Sequence, residues 1–274
     1  MKELTLRQIQ LLELDILLEF HRICETHGLT YHIAYGTLLG AVLHGGFIPW
    51  DDDIDVLMPR PDYEKLMALF PSACKVPHYR LISPLDTLSR HSYIKITDER
   101  TVKVETNFDY APGPLGIDID VFPLDGAPQE EADHWIWYEK LQRCYRLADF
   151  PMRKTYGGRK KRWPLAVINF LGGKRHLLGV QIKRHYLKKA QKLHKKHPLH
   201  ASDWVGMVEH CFGCEKQRYP KALFENTTLL EFEGHLFPAP AEYDRILRIC
   251  YGDYMVPPPE SERYSHLIET AYQK

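Results

Sequence analysis

The chain has 274 residues, of which 44% are hydrophobic and 26% are charged, and its formal net charge is zero. This composition is ordinary for a globular protein and excludes a disordered chain, a collagen and a long coiled coil. Six cysteines are too few for a disulfide scaffold, and the charged, amphipathic N-terminal segment is not typical of a signal peptide or a membrane span. We therefore expect a soluble protein of the reducing cytoplasm.

The predicted elements alternate between helices and strands. Apolar residues recur at helical spacing over residues 4–27, and Gly28 ends this first helix. Strands are predicted at 30–35, 53–58, 79–83, 92–97, 101–106 and 116–122, and further helices at 38–45, 61–70, 129–149, after 164 and at 240–250. This order predicts an α/β (α+β) protein with a mixed-sheet core and helical additions. We expect three regions: an N-terminal helix (1–28), a catalytic core (29–126) and a helical region (127–274).

The strongest chemical signal is the acidic run WDDDIDV at residues 50–56. Alternate residues of a strand point to one face, about 7 Å apart. Asp51, Asp53 and Asp55 are therefore expected to project together, and such a group repels itself unless a cation lies between its members. Hard oxygen ligands suit Mg²⁺ or Mn²⁺. The alternatives are a solvated acidic loop or a Ca²⁺ site, although the glycine and glutamate of an EF-hand loop are absent.

Two further features surround this acidic run. Gly36 and Thr37 lie at a strand-to-helix turn, where free backbone N–H groups can bind phosphate. Asp118 and Asp120 alternate on a later strand and can supply another carboxylate. A strand, a Gly-Thr turn, a helix and two acidic strands follow one another in the order of the nucleotidyltransferase fold, whose two-metal chemistry uses two or three carboxylates.

Four blocks of the sequence identify a resemblance. Residues 35–66 contain FIPWDDDID, and the later blocks are IKITDERTVKVE (94–105), IDIDVFPLDG (117–126) and CYGDYMVPPPE (250–260). Together they resemble the LicD family of bacterial phosphocholine transferases, which is related to fukutin and fukutin-related protein. The chain departs from that family at Leu43, where members usually have Arg, and at Gly45, where Lys is common.

The resemblance implies an activity and a set of roles. A phosphocholine or related alditol-phosphate group would pass from a CDP-linked donor, such as CDP-choline, to a hydroxyl of a cell-surface glycan or teichoic-acid precursor, with release of CMP. The metals would bind Asp53 and Asp55, with Asp51 as a third or outer ligand, and Asp120 would bridge the metals or act as the base. The donor phosphate would bind Gly36 and Thr37, and Lys95 is either a further phosphate contact or an ordinary exposed lysine.

The charge is unevenly distributed along the chain. Residues 151–202 contain 15 Lys and Arg and no Asp or Glu, which leaves a balance of −15 on the other residues. This basic segment is predicted to be helical, with Leu178, Ile182, Tyr186, Ala190 and Leu193 on one face and lysines, including Lys183, on the others. Its charged face can bind an anionic membrane or a phosphate-bearing, lipid-linked glycan acceptor, which would place the protein peripherally at the inner face of the membrane. Alternatively, the face is merely solvated.

Other interpretations remain open. One rival is a nucleotidyltransferase that acts on RNA or another small acceptor, although no RNA-binding motif is evident and no nucleic acid is expected. Another is a catalytically inactive glycan- or membrane-binding module. Cys211 and Cys214 form a lone CxxC pair, for which reduced, partly buried thiols are the expectation. The aromatic residues closest to the motifs, either cage residues for choline or core residues, are Trp50, Tyr35, Tyr93 and Tyr254.

Overall fold

The computed structural model describes residues 1–86, 89, 91–105, 115–149, 175–206, 218–259, 263 and 268–274. Six α-helices lie in these ranges: α1 (Leu6–His27), α2 (Tyr35–His44), α3 (Arg60–Ala73), α4 (Glu131–Asp149), α5 (Arg175–His194) and α6 (Tyr243–Tyr251). The strands are β1 (Lys2–Glu3), β2 (His32–Ile33), β3 (Asp55–Pro59), β4 (Tyr79–Ile82), β5 (Ile94–Asp98), β6 (Thr101–Glu105), β7 (Asp118–Ala127), β8 (Trp204–Gly206), β9 (Tyr219–Pro220), β10 (Thr227–Phe232), β11 (His235–Pro240) and β12 (Ile268–Gln273). The expected mixture of helices and strands is confirmed.

The main sheet is mixed and has seven strands. Its order is β2-β3-β7-β5-β4, and β8 and β9 extend it from the far end of β7. The β3 and β7 strands are parallel, whereas β7 is antiparallel to β5. A second, antiparallel sheet has the order β1-β12-β6, and β10 and β11 form a hairpin. The long central strand β7 therefore lies beside β3 and β5, which come from earlier parts of the sequence.

Helix α1 forms where the sequence predicts it, and its ends have a clear cause. Thr5 and Gln8 form a capping box, because each side chain accepts a hydrogen bond from the backbone N–H of the other. Gly28 ends the helix in the left-handed region at φ 62°. The apolar stripe of this helix then packs against one face of the main sheet.

The two faces of the main sheet bury different groups. Val56 and Val121 share the larger core with Phe20 of α1. Leu57 and Phe122 point to the opposite face and belong to a smaller core that also contains α6 residues. Since side chains alternate along a strand, Asp55 and Asp120 share this second face. The functional side chains are therefore held on the α6 side of the sheet.

The acidic run differs from its predicted conformation. Strand β3 begins only at Asp55, and residues 51–54 form a loop, so the expected strand over 53–58 starts too early. The prediction that Asp51, Asp53 and Asp55 alternate along one strand is therefore wrong. Aspartate is disfavoured in strands, and Asp51 is hydrogen-bonded to α1, whereas bonding to β7 begins only at Ile54, whose carbonyl accepts from the N–H of Asp120 at 2.8 Å.

The predicted regions are joined by shared sheets. The second sheet takes β1 from residues 1–28, β6 from 29–126 and β12 from 127–274. All three predicted regions therefore contribute to one sheet. Their division into separate domains stays a prediction.

Candidate active site

Three neighbouring strands of the main sheet place two carboxylates and an ammonium group in one row. Asp55 of β3 pairs with Asp120 of β7, and Asp120 pairs with Lys95 of β5. Directly paired residues of adjacent strands project from the same face. The register thus explains why residues 65 positions apart in the sequence lie side by side.

The positive charge of Lys95, at one end of this row, is balanced by buried carboxylates. Lys95 is 3% exposed, and its Nζ lies 2.9 Å from Asp118 Oδ1 and also donates to Asp120. Lys103 of β6 also contacts Asp118, with its Nζ 2.9 Å from Oδ1 and 2.8 Å from Oδ2. The interpretation of Lys95 as an ordinary exposed lysine is therefore wrong, because the cross-strand register inserts it between two carboxylates. A role for Lys95 at the donor phosphate stays a prediction.

Side chains of α1 and α2 hydrogen-bond the backbone at the two ends of the acidic segment 51–55. Gln10 of α1 donates from Nε2 to the carbonyl of Asp51 at 2.9 Å, and the N–H of Asp55 donates to Thr37 Oγ1 at 2.8 Å. A Cβ atom at Gly36 would lie 2.7 Å from Asp51 Oδ2, closer than a carbon can approach. Both residues of the Gly-Thr pair thus contact the acidic loop, and their binding of donor phosphate stays a prediction.

The carboxylates repel one another in a buried setting. Burial and the charges of its acidic neighbours, Asp53 foremost, hold the pKa of Asp55 well above its usual range. Burial and an adjacent carboxylate raise the pKa of Asp51 to about 6. Burial also raises the pKa of Asp120, although the Lys95 ammonium opposes this shift. A cation among these groups would relieve the repulsion.

The donor chemistry of this cluster fits a hard divalent cation. Carboxylate oxygens are the ligands that Mg²⁺ and Mn²⁺ prefer in proteins. In the described part of the chain, however, no three His, Cys, Asp or Glu side chains are arranged so that they could hold one metal ion. Asp51, Asp53 and Asp55 would therefore have to turn toward a common point to bind it.

Two residues near the site are missing from the sequence predictions. Glu13 of α1 is 1% exposed, and burial, followed by the charge of Asp53, raises its pKa well above the usual range. Glu13 could have been found from the sequence, because it lies between Ile9 and Ile16 on the buried stripe of α1, where an acidic residue is unusual. Tyr251 ends α6, and burial raises its pKa with a further contribution from the site carboxylates.

The aromatic candidates divide into two groups. Tyr35 and Tyr93 pack against the Phe122 ring, with centroids 6.0 Å and 4.4 Å away, and both lie close enough to the carboxylates to feel their charge. Tyr254 instead donates a hydrogen bond to an aspartate of α6, and the Trp50 ring lies under an arginine guanidinium at 5.2 Å. Only the first group shares the face of the acidic row.

The basic segment is described from residue 175 onward. Helix α5 packs against α4 through Leu187 and Ala190, so its apolar face is covered by protein. Lys183, expected on a solvated face, is 2% exposed, and its Nζ donates to the carbonyls of Ser89 at 2.7 Å and His91 at 3.2 Å. That expectation is wrong because the buried stripe is rotated toward Lys183. The exposed lysines are Lys188, Lys189, Lys192, Lys195 and Lys196.

Some sequence predictions fall outside the described ranges. Residues 151–174 of the basic segment, Cys211 and Cys214 are among them. In the ranges that are described, no helix combines the length and the apolar character needed to cross a membrane.

Comparison with known proteins identifies the family. A family model described as LicD/FKTN/FKRP, nucleotidyltransferase domain, matches residues 28–173. The chain is 34% identical to the lipopolysaccharide cholinephosphotransferase LicD of Haemophilus influenzae over 280 aligned positions, which cover 99% of each protein. A shorter match of 57 residues, 38% identical and 21% of each chain, is to an uncharacterized protein of Rickettsia prowazekii. A family match over half of the chain and a relative aligned along its whole length lead to one conclusion: the chain belongs to the LicD family.

Proposed function

We propose that the protein transfers phosphocholine, or a closely related alcohol phosphate, from a CDP-linked donor to a hydroxyl group of a surface glycan and releases CMP. The observation that carries this proposal is the row of Asp55, Asp120 and Lys95 on one face of the main sheet, in a chain of the LicD family. The full-length relative from Haemophilus influenzae is named for cholinephosphate transfer to lipopolysaccharide, which favours CDP-choline and a lipopolysaccharide acceptor. A teichoic-acid precursor is the alternative acceptor.

The proposed reaction is a single displacement at phosphorus. The acceptor hydroxyl oxygen forms a bond to the phosphorus that carries choline, and the bond from this phosphorus to the bridging oxygen of CMP breaks. CMP leaves with the bonding electrons, and the acceptor proton passes to a site carboxylate, for which Asp120 is our assignment. No change of oxidation state is required.

We assign the divalent cation, Mg²⁺ or Mn²⁺, to Asp53 and Asp55, with Asp51 as the third or outer ligand. Such an ion, when bound, neutralises the diphosphate and stabilises the charge that develops on the leaving CMP. The protein's own contribution is positional. Thr37 accepts a hydrogen bond from the N–H of Asp55, and Gly36 leaves room for the Asp51 carboxylate. We propose that the N-terminal turn of α2 also contacts the donor phosphates.

A donor comparison tests this function. Purified protein, Mg²⁺ and lipopolysaccharide lacking phosphocholine are incubated in turn with CDP-choline, CDP-ethanolamine, CDP-glycerol and CDP-ribitol. CMP release is followed by chromatography, and the modified glycan is identified by mass spectrometry. We expect CMP release and glycan modification with CDP-choline only when the acceptor is present. Absence of transfer from all four donors would contradict the proposal, and turnover of CTP or ATP with RNA would favour a nucleotidyltransferase.

A further inference from the structure

A cavity of about 410 Å³ lies where α3 begins and α5 ends, and its volume is typical of a small-molecule site. Arg60 and Asp125, which line it, lie five residues beyond the paired residues Asp55 and Asp120. Since a strand rises about 3.3 Å per residue, this is a distance of roughly 16 Å along β7. The odd number of residues also places Asp125 on the opposite face of the sheet from Asp120. The cavity is therefore separate from the acidic row.

The buried carboxylate of this cavity already has cationic and polar partners. Arg60 donates to the two oxygens of Asp125, at 2.8 Å from Nε and 2.5 Å from the terminal nitrogen. The Nδ1 atom of His194 lies 3.2 Å from Asp125 Oδ2, and its Nε2 atom lies 2.8 Å from the Tyr145 hydroxyl oxygen. Asp125 is thus balanced within the protein and contributes little negative charge to the open part of the cavity.

The open part of the cavity is lined by cations that have no acidic partner. Lys195 directly follows α5, and Lys221 follows β9, so the two lysines come from separate elements. In the ranges that the structure describes, no carboxylate pairs with either lysine, and nothing is hydrogen-bonded to the imidazole of His200. Glu64 is the exposed carboxylate on the α3 side. Two lysines facing one carboxylate leave this part of the cavity positively charged, and the imidazole adds a donor.

Part of the cavity wall is apolar. Pro61 lines it on the α3 side, and Pro198 and Leu199 line it on the side of α5. Ligand sites typically combine apolar walls with a few polar groups that fix orientation, and the C–H faces of a sugar ring suit such walls. Lysine ammonium groups are common ligands of phosphate. The cavity thus matches a ligand that joins a ring of this kind to an anionic group.

We propose that this cavity binds the phosphate group of a phosphorylated sugar. Lys195 and Lys221 contact the phosphate oxygens, the His200 imidazole donates a further hydrogen bond, and the sugar ring lies against the apolar wall. A free sugar phosphate and a phosphorylated residue of a glycan present the same chemistry to the site. The proposal goes beyond the proposed function, because it uses none of the residues of the acidic row.

Binding of glucose-6-phosphate tests the proposal. The full chain is titrated calorimetrically with this compound in a phosphate-free buffer that contains EDTA, so that no metal ion can hold phosphate at the acidic row. We expect Lys195→Gln and Lys221→Gln each to weaken binding by about tenfold, because each removes a charged hydrogen-bond donor. Glu64→Gln should tighten binding, since it removes the opposing charge. The matched control is Lys188→Gln, on α5 but outside the cavity, which should bind like the wild type.

Two further ligands identify what is recognised. Glucose should bind at least about tenfold more weakly than its phosphate, because it lacks the charged group. The phosphorylated core oligosaccharide of lipopolysaccharide distinguishes the two sources. If it binds more tightly than glucose-6-phosphate and loses this affinity after phosphatase treatment, the ligand is a glycan phosphate, whereas the reverse order supports a free sugar phosphate.

The proposal is overturned if neither phosphorylated ligand binds, or if the wild type and both folded lysine variants bind equally well. Either result leaves the transferase proposal intact, because the titration contains neither metal ion nor CDP-linked donor. Circular dichroism establishes that each variant is folded. If Lys221→Gln is not, the exposed positions decide: weaker binding by Lys195→Gln and tighter binding by Glu64→Gln support the site, and unchanged binding by both overturns it.

Discussion

At the scale of single residues, the site contains a close contact between Gly36 and Asp51, since a methyl group at Gly36 would meet Asp51 Oδ2 at 2.7 Å. The Gly-Thr pair of the family motif therefore has a steric role as well as the proposed role in binding phosphate.

Replacement of Gly36 by alanine tests this contact. The new methyl group must displace Asp51, and a shift of about 1 Å in a catalytic group costs up to roughly 100-fold in rate. We expect Gly36→Ala to lower the rate of CMP release by at least about tenfold while the protein stays folded. Steady-state kinetics and thermal unfolding measure the two effects. Wild-type turnover in a folded Gly36→Ala protein would show that Asp51 does not need its present position.

The sequence predicts the acidic residues of the site better than their partners. Asp51, Asp53, Asp55 and Asp120 could be chosen from spacing and from the family motif, because short-range pattern carries that information. The pairing of Lys95 with Asp120 could not, since it depends on which strands are neighbours and in which register. Glu13 could have been found as an acidic residue on a buried helical stripe, although its proximity to Asp53 is a property of the fold.

At the scale of secondary-structure elements, α5 has two different sides that its composition does not separate. One side of the helix carries exposed lysines, and the other side reaches the loop before β5 through Lys183. That loop leads to Tyr93 and Lys95, so α5 supports the lysine end of the site from a distance.

Replacement of Lys183 by methionine tests this support. The methionine keeps the length of the side chain but leaves the carbonyls of Ser89 and His91 without their ammonium donor. A hydrogen bond to a charged group contributes about 1.5–3 kcal/mol, so we expect the free energy of unfolding to fall by about 2–3 kcal/mol and turnover to fall as well. Urea denaturation measures the first quantity. The control is Lys188→Met on the exposed face of α5, and equal stabilities of the two variants would contradict the prediction.

His194 at the end of α5 makes stability depend on pH. Burial lowers its pKa to about 4, and its Nε2 lies 2.8 Å from the Tyr145 hydroxyl oxygen. The unfolded chain takes up a proton near pH 6.5 that the folded chain does not, so the stabilising contribution is complete above pH 6.5 and is lost as the pH falls toward 4. Between pH 7 and pH 5 the wild type should lose about 1–2 kcal/mol more than His194→Gln in urea denaturation. Parallel losses in both proteins would contradict the assignment.

The elements themselves were largely predictable. The helix at 4–27 and the strands from Tyr79 to Val121 follow clear periodicities, and the structure places them within a few residues of expectation. The acidic run was the exception, because its alternating acidic and apolar residues resemble the pattern of a half-buried strand. Its carboxylates repel one another, Gln10 binds the carbonyl of Asp51, and bonding to β7 begins only at Ile54.

At the scale of the whole molecule, charge is divided between an acidic site and a basic helix. The lysines Lys188, Lys189, Lys192, Lys195 and Lys196 form an exposed basic face on α5. We propose that this basic face attracts an anionic acceptor or the anionic membrane that presents it. Under the RNA-binding alternative, the same lysines would bind the phosphates of RNA.

Neutralising the basic face tests the proposal. Each lysine near an anionic membrane contributes about 1 kcal/mol, and the effect is screened beyond about 8–10 Å at moderate salt. Replacing all five lysines by glutamine should abolish sedimentation with anionic vesicles at low salt, with a smaller difference at high salt, and leave donor affinity unchanged. The matched control replaces five exposed lysines elsewhere, Lys2, Lys65, Lys75, Lys140 and Lys274. Equal vesicle binding by both variants would leave a solvated helix face as the explanation.

The central claim is that Asp53, Asp55 and Asp120 act together in phosphocholine transfer. The most direct measurement is the rate of phosphocholine transfer from CDP-choline to lipopolysaccharide by wild type, Asp53→Asn, Asp55→Asn and the exposed control Asp133→Asn, each with Mg²⁺. Because asparagine keeps the size of aspartate and removes its charge, we expect the two site variants to lose on the order of 100-fold or more and to remain folded. The control should match the wild type. Transfer at the wild-type rate by folded Asp53→Asn or Asp55→Asn would contradict the claim.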